Sequence, residues 1–334
     1  MLKKILNRNE TYLFFILALY SVIVTSVNSS FVSVENLFDI LRSATGMGIL
    51  AMGVLVVLLS GGIDVSFTAV AMAGGYIAVR SLMTLGIDDL AMAFLISCSV
   101  GMLLGAVNGA IITFFRLPTL IATLGTLSVF FGALTTFVGT RSVNAAQMPS
   151  CFISFGSVRL IEVTNEAGDV YGLSIFIVPL VFVIFITWLI LKYTMLGRGI
   201  YALGNNRESA ARSGFNIIKI QFFVYCYVGL LAGIMGVVYV SEVRWVNPVA
   251  LVGEELMVLA AVVIGGAKLT GGSGTILGTI LGVAIVKVLN STLVLLGLSA
   301  SWNNLFVGLI IIISTGVTSY QQKIKNRETL TFNL

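Results

Sequence analysis

Apolar residues fall in long unbroken runs separated by short polar breaks, and neither the strand period of two nor the one-sided helical stripe of a soluble domain is visible. Runs that are hydrophobic on every face read as helices buried in lipid. A crossing needs about 20 such residues, fewer if the helix is short or broken. About ten spans follow: 11–27, 44–60, 65–80, 91–114, 118–139, 174–191, 218–240, 254–267, 274–297 and 303–319. The eighth is short, opens on Glu254–Glu255 and follows Asn247–Pro248, the pattern of a shallow or broken helix.

The expected fold class is all-α: a polytopic membrane protein, some helices short or broken, in a single domain over 1–334. With the N-terminus in the cytoplasm, 13 Lys and Arg lie inside and 5 outside, Lys287 remaining within a span. That asymmetry obeys the positive-inside rule. An odd number of spans would put Lys323, Lys325 and Arg327 outside, so both termini are expected in the cytoplasm. The segment 140–173 is then the largest external loop, and 192–219 the long basic internal one.

Composition agrees: 58% hydrophobic and only 10% charged, against about 25% charged in soluble domains. The expected location is a membrane, and the N-terminal apolar run is expected to remain as an uncleaved span. Membrane lipid is thus one partner. Nucleic acid is not, because no basic stripe with interleaved aromatics lies outside the spans. The chain has no histidine, and its three cysteines have no metal-site or disulfide spacing. No nucleophile–base pair, carboxylate dyad, cofactor motif or metal cluster is visible, which argues against an enzyme. The absence of G-x-x-x-x-G-K-[ST] means that any ATP would be handled by another polypeptide.

The internal loop holds a short helix with both ends capped by its own residues. Asn205 or Asn206 can serve as N-cap, Glu208 lies in the first turn, and Gly214 follows the last. Ala210 and Ala211 would leave one face smooth for a partner. Gly101, Gly105 and Gly109 repeat every four residues, as do Gly274, Gly278 and Gly282, and each stripe lets another helix approach closely. Asn108 and Asn290 accompany the two stripes, a weak internal echo of the kind found in two-fold transporters.

The stretch LLSGGIDVS breaks an apolar run with two glycines and an aspartate, so that Asp64 and Ser66 can cap the third span. An ionisable group there is a functional candidate. Polar groups inside spans include Asn108, Thr123, Thr126, Glu255, Lys287 and Asn290.

Five stretches in order carry a resemblance: LSGGIDVS (59–66), VNGAIITFFRLPTLIATLGT (107–126), GRGIYALGNNRESAARSG (197–214), EELMVLAAVVIGGAKLTGGSGTILGTILG (254–282) and VLNSTLVLLGLSASWNNLFVGLIII (288–312). The chain resembles the permease subunits of bacterial ATP-binding-cassette importers for ribose, xylose, arabinose and galactose, and also autoinducer-2 permeases. The resemblance implies a non-enzymatic subunit whose 197–214 segment couples to an ATPase. The coupling residues would be Gly204, Asn205, Asn206, Glu208, Ala210, Ala211 and Gly214. It further implies a second permease subunit, identical or related, an extracytoplasmic sugar-binding protein and a sugar substrate. Neutral hydrogen-bonding groups suit a polyol, so Asn108, Thr123, Thr126 and Asn290 are expected pathway residues, and Asp64, Ser66 and Glu255, polar groups at a break or inside a span, are counted with them. Lys268 and Lys287 depart from the family's pattern. The rival reading is an ion-coupled secondary transporter using Asp64 and Glu255. A membrane enzyme acting on lipid-linked sugars would need the catalytic constellation that is missing.

Overall fold

The computed structural model describes residues 9–164 and 170–295, with scattered positions between 302 and 316. The basic tail with Lys323, Lys325 and Arg327 lies outside the described residues, as do Glu166, Asp169 and most of the span expected at 303–319. The long helices are α1 (Asn9–Val27), α2 (Val34–Leu59), α3 (Phe67–Leu85), α4 (Leu90–Phe115) and α5 (Thr119–Ala133), which ends in a π turn at Leu134–Val138. After a lateral segment come α7 (Ile177–Tyr193), α8 (Met195–Asn205), α9 (Arg207–Arg212), α10 (Ile217–Val243), α11 (Glu255–Ile264) and α12 (Ile276–Leu295).

Among the described residues, seven helices are long and apolar enough to cross a membrane, and the pair α7–α8, bent by 76°, makes an eighth. The difference from ten has two sources. The tenth run is mostly undescribed, and α11 has only ten residues, about 15 Å of helix against a bilayer core of about 30 Å.

Two glycine seams set the packing. Membrane helices gain no hydrophobic drive from meeting each other, so contact rests on close approach at small residues. The Gly101–Gly105–Gly109 stripe of α4 lies on α10. A Cβ at Gly101 would sit 2.2 Å from the Gly229 carbonyl oxygen, and one at Gly105 would sit 2.3 Å from that of Tyr225. On another face of α10, a Cβ at Gly236 would meet the Ala71 carbonyl of α3 at 2.4 Å. Ser97 of α4 adds a 2.7 Å hydrogen bond to the Gly233 carbonyl. The second stripe joins α11 to α12: Cβ atoms at Gly278 and Gly282 would each fall 2.0 Å from a carbonyl, of Gly265 and Ala261. Gly274 itself precedes the helix and packs on Ala267 and Leu55. The core is α2, α3 and α10, with every residue of α2 from Thr45 to Leu59 buried, while α1 is almost wholly exposed at the edge.

The segment expected as an open loop at 140–173 is structured. It holds β1 (Val143–Asn144), α6 (Ser150–Ser157), β2 (Arg159–Thr164) and β3 (Val170–Ser174). β2 and β3 form an antiparallel hairpin, and β1 pairs with β4 (Trp245–Val246) beyond α10. Asp88, in the α3–α4 turn, caps α6 from a distance: it accepts hydrogen bonds from the Ser150 hydroxyl and, at 2.7 Å, from the Cys151 amide.

Two tests follow from these contacts. Gly229→Leu should destabilise the fold at the upper end of the overpacking range, about 3 kcal/mol or more, because the obstacle is backbone and cannot rotate away. A lowered melting temperature of the detergent-solubilised chain would register it. The hydrogen bonds from Ser150 and then Cys151 hold the Asp88 carboxyl below its ordinary value. A group so lowered stabilises above the ordinary value and loses that contribution as pH falls through the lowered one. Amide exchange in 150–157 should therefore quicken on strong acidification, and Asp88→Asn should quicken it already at neutral pH. Unchanged protection in that variant would remove the tether.

Candidate functional site

One end of the bundle gathers three breaks into a single knot. The first is the α2–α3 turn at 60–66, where Gly61 takes a left-handed φ of +81°. The second is the elbow formed by α8 and α9. The third is the α11–α12 turn, whose Gly271 and Gly272 have φ of +93° and +74°. Gly204, on the elbow, is where they meet: a Cβ there would lie 1.9 Å from the Leu59 carbonyl oxygen and 2.6 Å from the Gly272 nitrogen. The Gly272 amide donates to that same Leu59 carbonyl at 3.1 Å. Tyr201 adds a 3.3 Å hydrogen bond to the Gly274 carbonyl, and Thr275 one of 2.9 Å to Glu10 at the start of α1.

Asn206 ends α8 and caps α9, accepting a 2.9 Å hydrogen bond from the Ser209 amide. Asn205 is the last residue of α8, so the alternative cap is excluded. Gly214 has φ +87° and nothing within 4 Å of where its Cβ would be. Asn205, Asn206, Glu208, Ala211 and Gly214 are exposed. Two of the expected coupling residues stand apart from the rest: Ala210 is buried and Gly204 half-buried. Ala210 is 2% exposed and turned into the body, because α9 lies along the protein and only its outer face is free. Gly204 is spent on the knot. The Glu208–Arg212 ion pair, 3.6 Å and over 80% exposed on both sides, contributes little.

Inside the knot, the α2–α3 turn is held by a buried polar chain. The Asp64 carboxylate accepts from the Ser66 amide and hydroxyl, both at 2.7 Å, and the Ser66 oxygen accepts from the Asn108 amide nitrogen at 2.7 Å. The side chains of Thr119 and Thr123 accept from the Ile63 and Val65 amides at 3.0 and 3.4 Å. Ser66 occupies the N-cap position of α3 but makes no side-chain cap, contrary to expectation. Its backbone is already helical at φ −81°, ψ −11°, and its hydroxyl proton goes to Asp64. Thr126 is buried and bonds the Thr123 carbonyl at 3.3 Å. The structure thus brings Asp64, Ser66, Asn108, Thr123 and Thr126 together. A groove of about 1060 Å³ opens beside them, with Gly61, Arg116, Thr119, Arg207, Glu208 and Ala211 among its walls.

Glu255 and Asn290 lie elsewhere. Both Glu255 oxygens are engaged, by the Thr68 hydroxyl at 2.6 Å and the Gly253 amide at 2.9 Å. They tie the irregular segment before α11 to α3. Asn290 is half-buried on α12, 4.0 Å from the Met257 sulfur. Sequence reasoning did not name Glu242 and noted Glu254 only at the opening of the short eighth span; both line one cavity with Lys287. The signal available was Lys287 itself, a cation inside a span that requires polar company.

Comparison with known proteins adds the family. The model of the family described as "Branched-chain amino acid transport system / permease component" matches residues 36–315. The ribose import permease protein of Haemophilus influenzae is 32% identical over 309 residues, 92% of each chain. That of Escherichia coli K12 is 33% identical over 302 residues, 90% of each. The autoinducer 2 import system permease protein of Yersinia pestis is 32% identical over 307 residues, 92% of this chain and 83% of its own. No solved structure matches. With its run of apolar helices and its match over most of its length, the chain belongs to this permease-component family, as a multi-pass membrane subunit of an import system rather than an enzyme.

Proposed function

We propose that the chain forms the translocation pathway of an ATP-driven importer for a monosaccharide, together with a second permease subunit. In this reading a separate ATPase docks on the 192–219 elbow. An extracytoplasmic binding protein delivers sugar at the face built by 140–173. Likeness to ribose import permeases over nine-tenths of the chain supports the sugar class. Likeness to autoinducer 2 permeases keeps that furanose-like solute within the same reading.

The observation that carries the coupling role is the knot at Gly204. An exposed, capped helix is useful to a partner only if its displacement reaches the pathway. Here the elbow touches the α2–α3 and α11–α12 turns backbone to backbone, with no flexible side chain between to absorb the motion. A push on α9 is therefore felt at both turns. Alternating access requires such a two-state element.

The buried chain through Asp64, Ser66, Asn108 and Thr123 holds the α2–α3 turn in shape, and these four act by positioning the backbone at the pathway's inner end. Thr126 and Asn290 remain the neutral groups assigned to passing sugar. Glu255 acts by fixing the segment before α11.

Docking is tested with single cysteines at Asn206 and Ser213, in a chain freed of Cys98, Cys151 and Cys226. Nucleotide-sensitive cross-linking to the co-expressed ATPase is expected. An accessible elbow that never cross-links would defeat the ATPase reading and favour an ion-coupled transporter. Ala211→Arg and Gly214→Trp should abolish uptake while the chain still inserts. Normal uptake in both would remove the elbow from the coupling path. Asn108→Leu strips the Ser66 oxygen of its donor and should cost about 1–3 kcal/mol, read as a lower melting temperature with reduced uptake. A variant as stable as the parent would show that the buried chain does not hold the turn.

A further inference from the structure

Lys287 is the twelfth residue of α12, about 17 Å along the helix at 1.5 Å per residue and well inside a helix long and apolar enough to cross a membrane. An unpaired ammonium at that depth costs a few kcal/mol. Among the described residues, Lys287 nevertheless makes no ion pair within 4.0 Å. It faces instead a cavity of about 280 Å³, shared with Glu242 of α10, Glu254 at the start of α11, Thr68 of α3 and Tyr239 of α10. This lies at the broken helix. α11, at ten residues, is only about half as long as a bilayer core is thick, and the irregular segment 247–254 leads into it. Non-helical backbone at membrane depth is tolerated where it lines a cavity, and such interruptions mark binding sites in transporters.

Charges of both signs lie in and beside the cavity. Lys287 and Arg42 are positive, Glu242, Glu254 and the wall residue Glu255 negative, and Arg42 lies 3.9 Å from Glu242. Donors and acceptors of both signs side by side favour an ion of neither sign. Such a site suits a neutral solute with several hydroxyls, each able to give and take a hydrogen bond. The volume lies just below the lower bound of ligand cavities, about 300 Å³, which limits the occupant to one small ring.

We propose that this cavity, lined by residues of a single subunit, is a polyol subsite in which Lys287 donates to one sugar hydroxyl and Glu254 accepts from another. The inference rests on the monosaccharide reading above and deepens it: selectivity among sugars is set partly here, by charged groups inside one chain. Glu255, bound to Thr68 and Gly253, holds the cavity wall and does not itself contact sugar.

The test uses the complete transporter in proteoliposomes, with its ATPase and binding protein, and radiolabelled D-ribose and its singly deoxygenated analogues as probes. The parent should transport ribose and discriminate against the analogues. Lys287→Met should raise the KM for ribose by about tenfold, the scale of one lost charged hydrogen bond. It should also abolish discrimination against one analogue in particular, Glu254→Gln against a different one, and Lys287→Arg should restore most of the parent's pattern. A uniform fall in rate for every sugar, with the order of preference intact, would make the charges a structural latch and overturn the subsite. So would an unchanged KM. A parent transporter that moves none of a panel of pentoses and hexoses would overturn the monosaccharide reading, and this inference with it.

Discussion

Backbone-to-backbone contact between α10 and its neighbours is the constraint on which the rest depends. Lipid tails solvate apolar side chains as well as another helix does, so a membrane bundle must hold by close packing and hydrogen bonds. In α10 the contact surface is glycine: Gly229 and Gly233 meet α4, and Gly236 meets α3. At these glycines the neighbouring atoms are backbone, with no side chain to repack. Their relative positions are consequently fixed, and α10 carries that register to both ends of the molecule. The elbow leads into its first turn, and Glu242 and Arg244 stand at its last.

The knot at Gly204 applies the same device at a joint. Three irregular turns, each with a left-handed glycine or a glycine pressed on a carbonyl, share one point of contact. Irregular backbone near a membrane must find internal partners for its amides and carbonyls. The Asp64–Ser66–Asn108 chain, the two threonines on the Ile63 and Val65 amides, and the Gly272–Leu59 hydrogen bond supply them. The two turns so satisfied are the ones that meet the elbow at Gly204.

The helices were legible in the sequence because their signal is long and composition-driven. The glycine stripe of α4 was legible as a stripe, but its partner could not be read, since Gly229 and Gly233 lie in a run that looks equally lipid-facing. Local chemistry narrowed the cap of α9 to Asn205 or Asn206, and the helix boundary chose Asn206. The inward turn of Ala210 did not, because an isolated short helix carries no sign of which side its neighbour lies on. Ser66 misled for a related reason: its identity fits a cap, while the carboxylate two residues earlier competes for its hydroxyl. Glu242 and Glu254 were invisible as a pair with Lys287 because they come from three elements joined only by tertiary packing. The structured 140–173 segment was hidden by polar residues that read as loop until Asp88 caps its helix from across the chain.

The two glycine seams divide the bundle in a way that bears on how it can move. One seam welds α3, α4 and α10; the other welds α11 to α12. Within each block, displacement would force backbone atoms together, so motion has to pass between the blocks. α2 lies between them, packed on both. The cavity holding Lys287 takes walls from both blocks as well as from α2: Thr68, Tyr239 and Glu242 from one, Glu254, Val258 and Lys287 from the other. The proposed subsite would therefore change shape under the displacement proposed for the elbow, because Gly204 touches the turn that leads into α12. Charges placed across such a gap would be brought closer or drawn apart, and a solute bridging them would be gripped in one arrangement and released in the other.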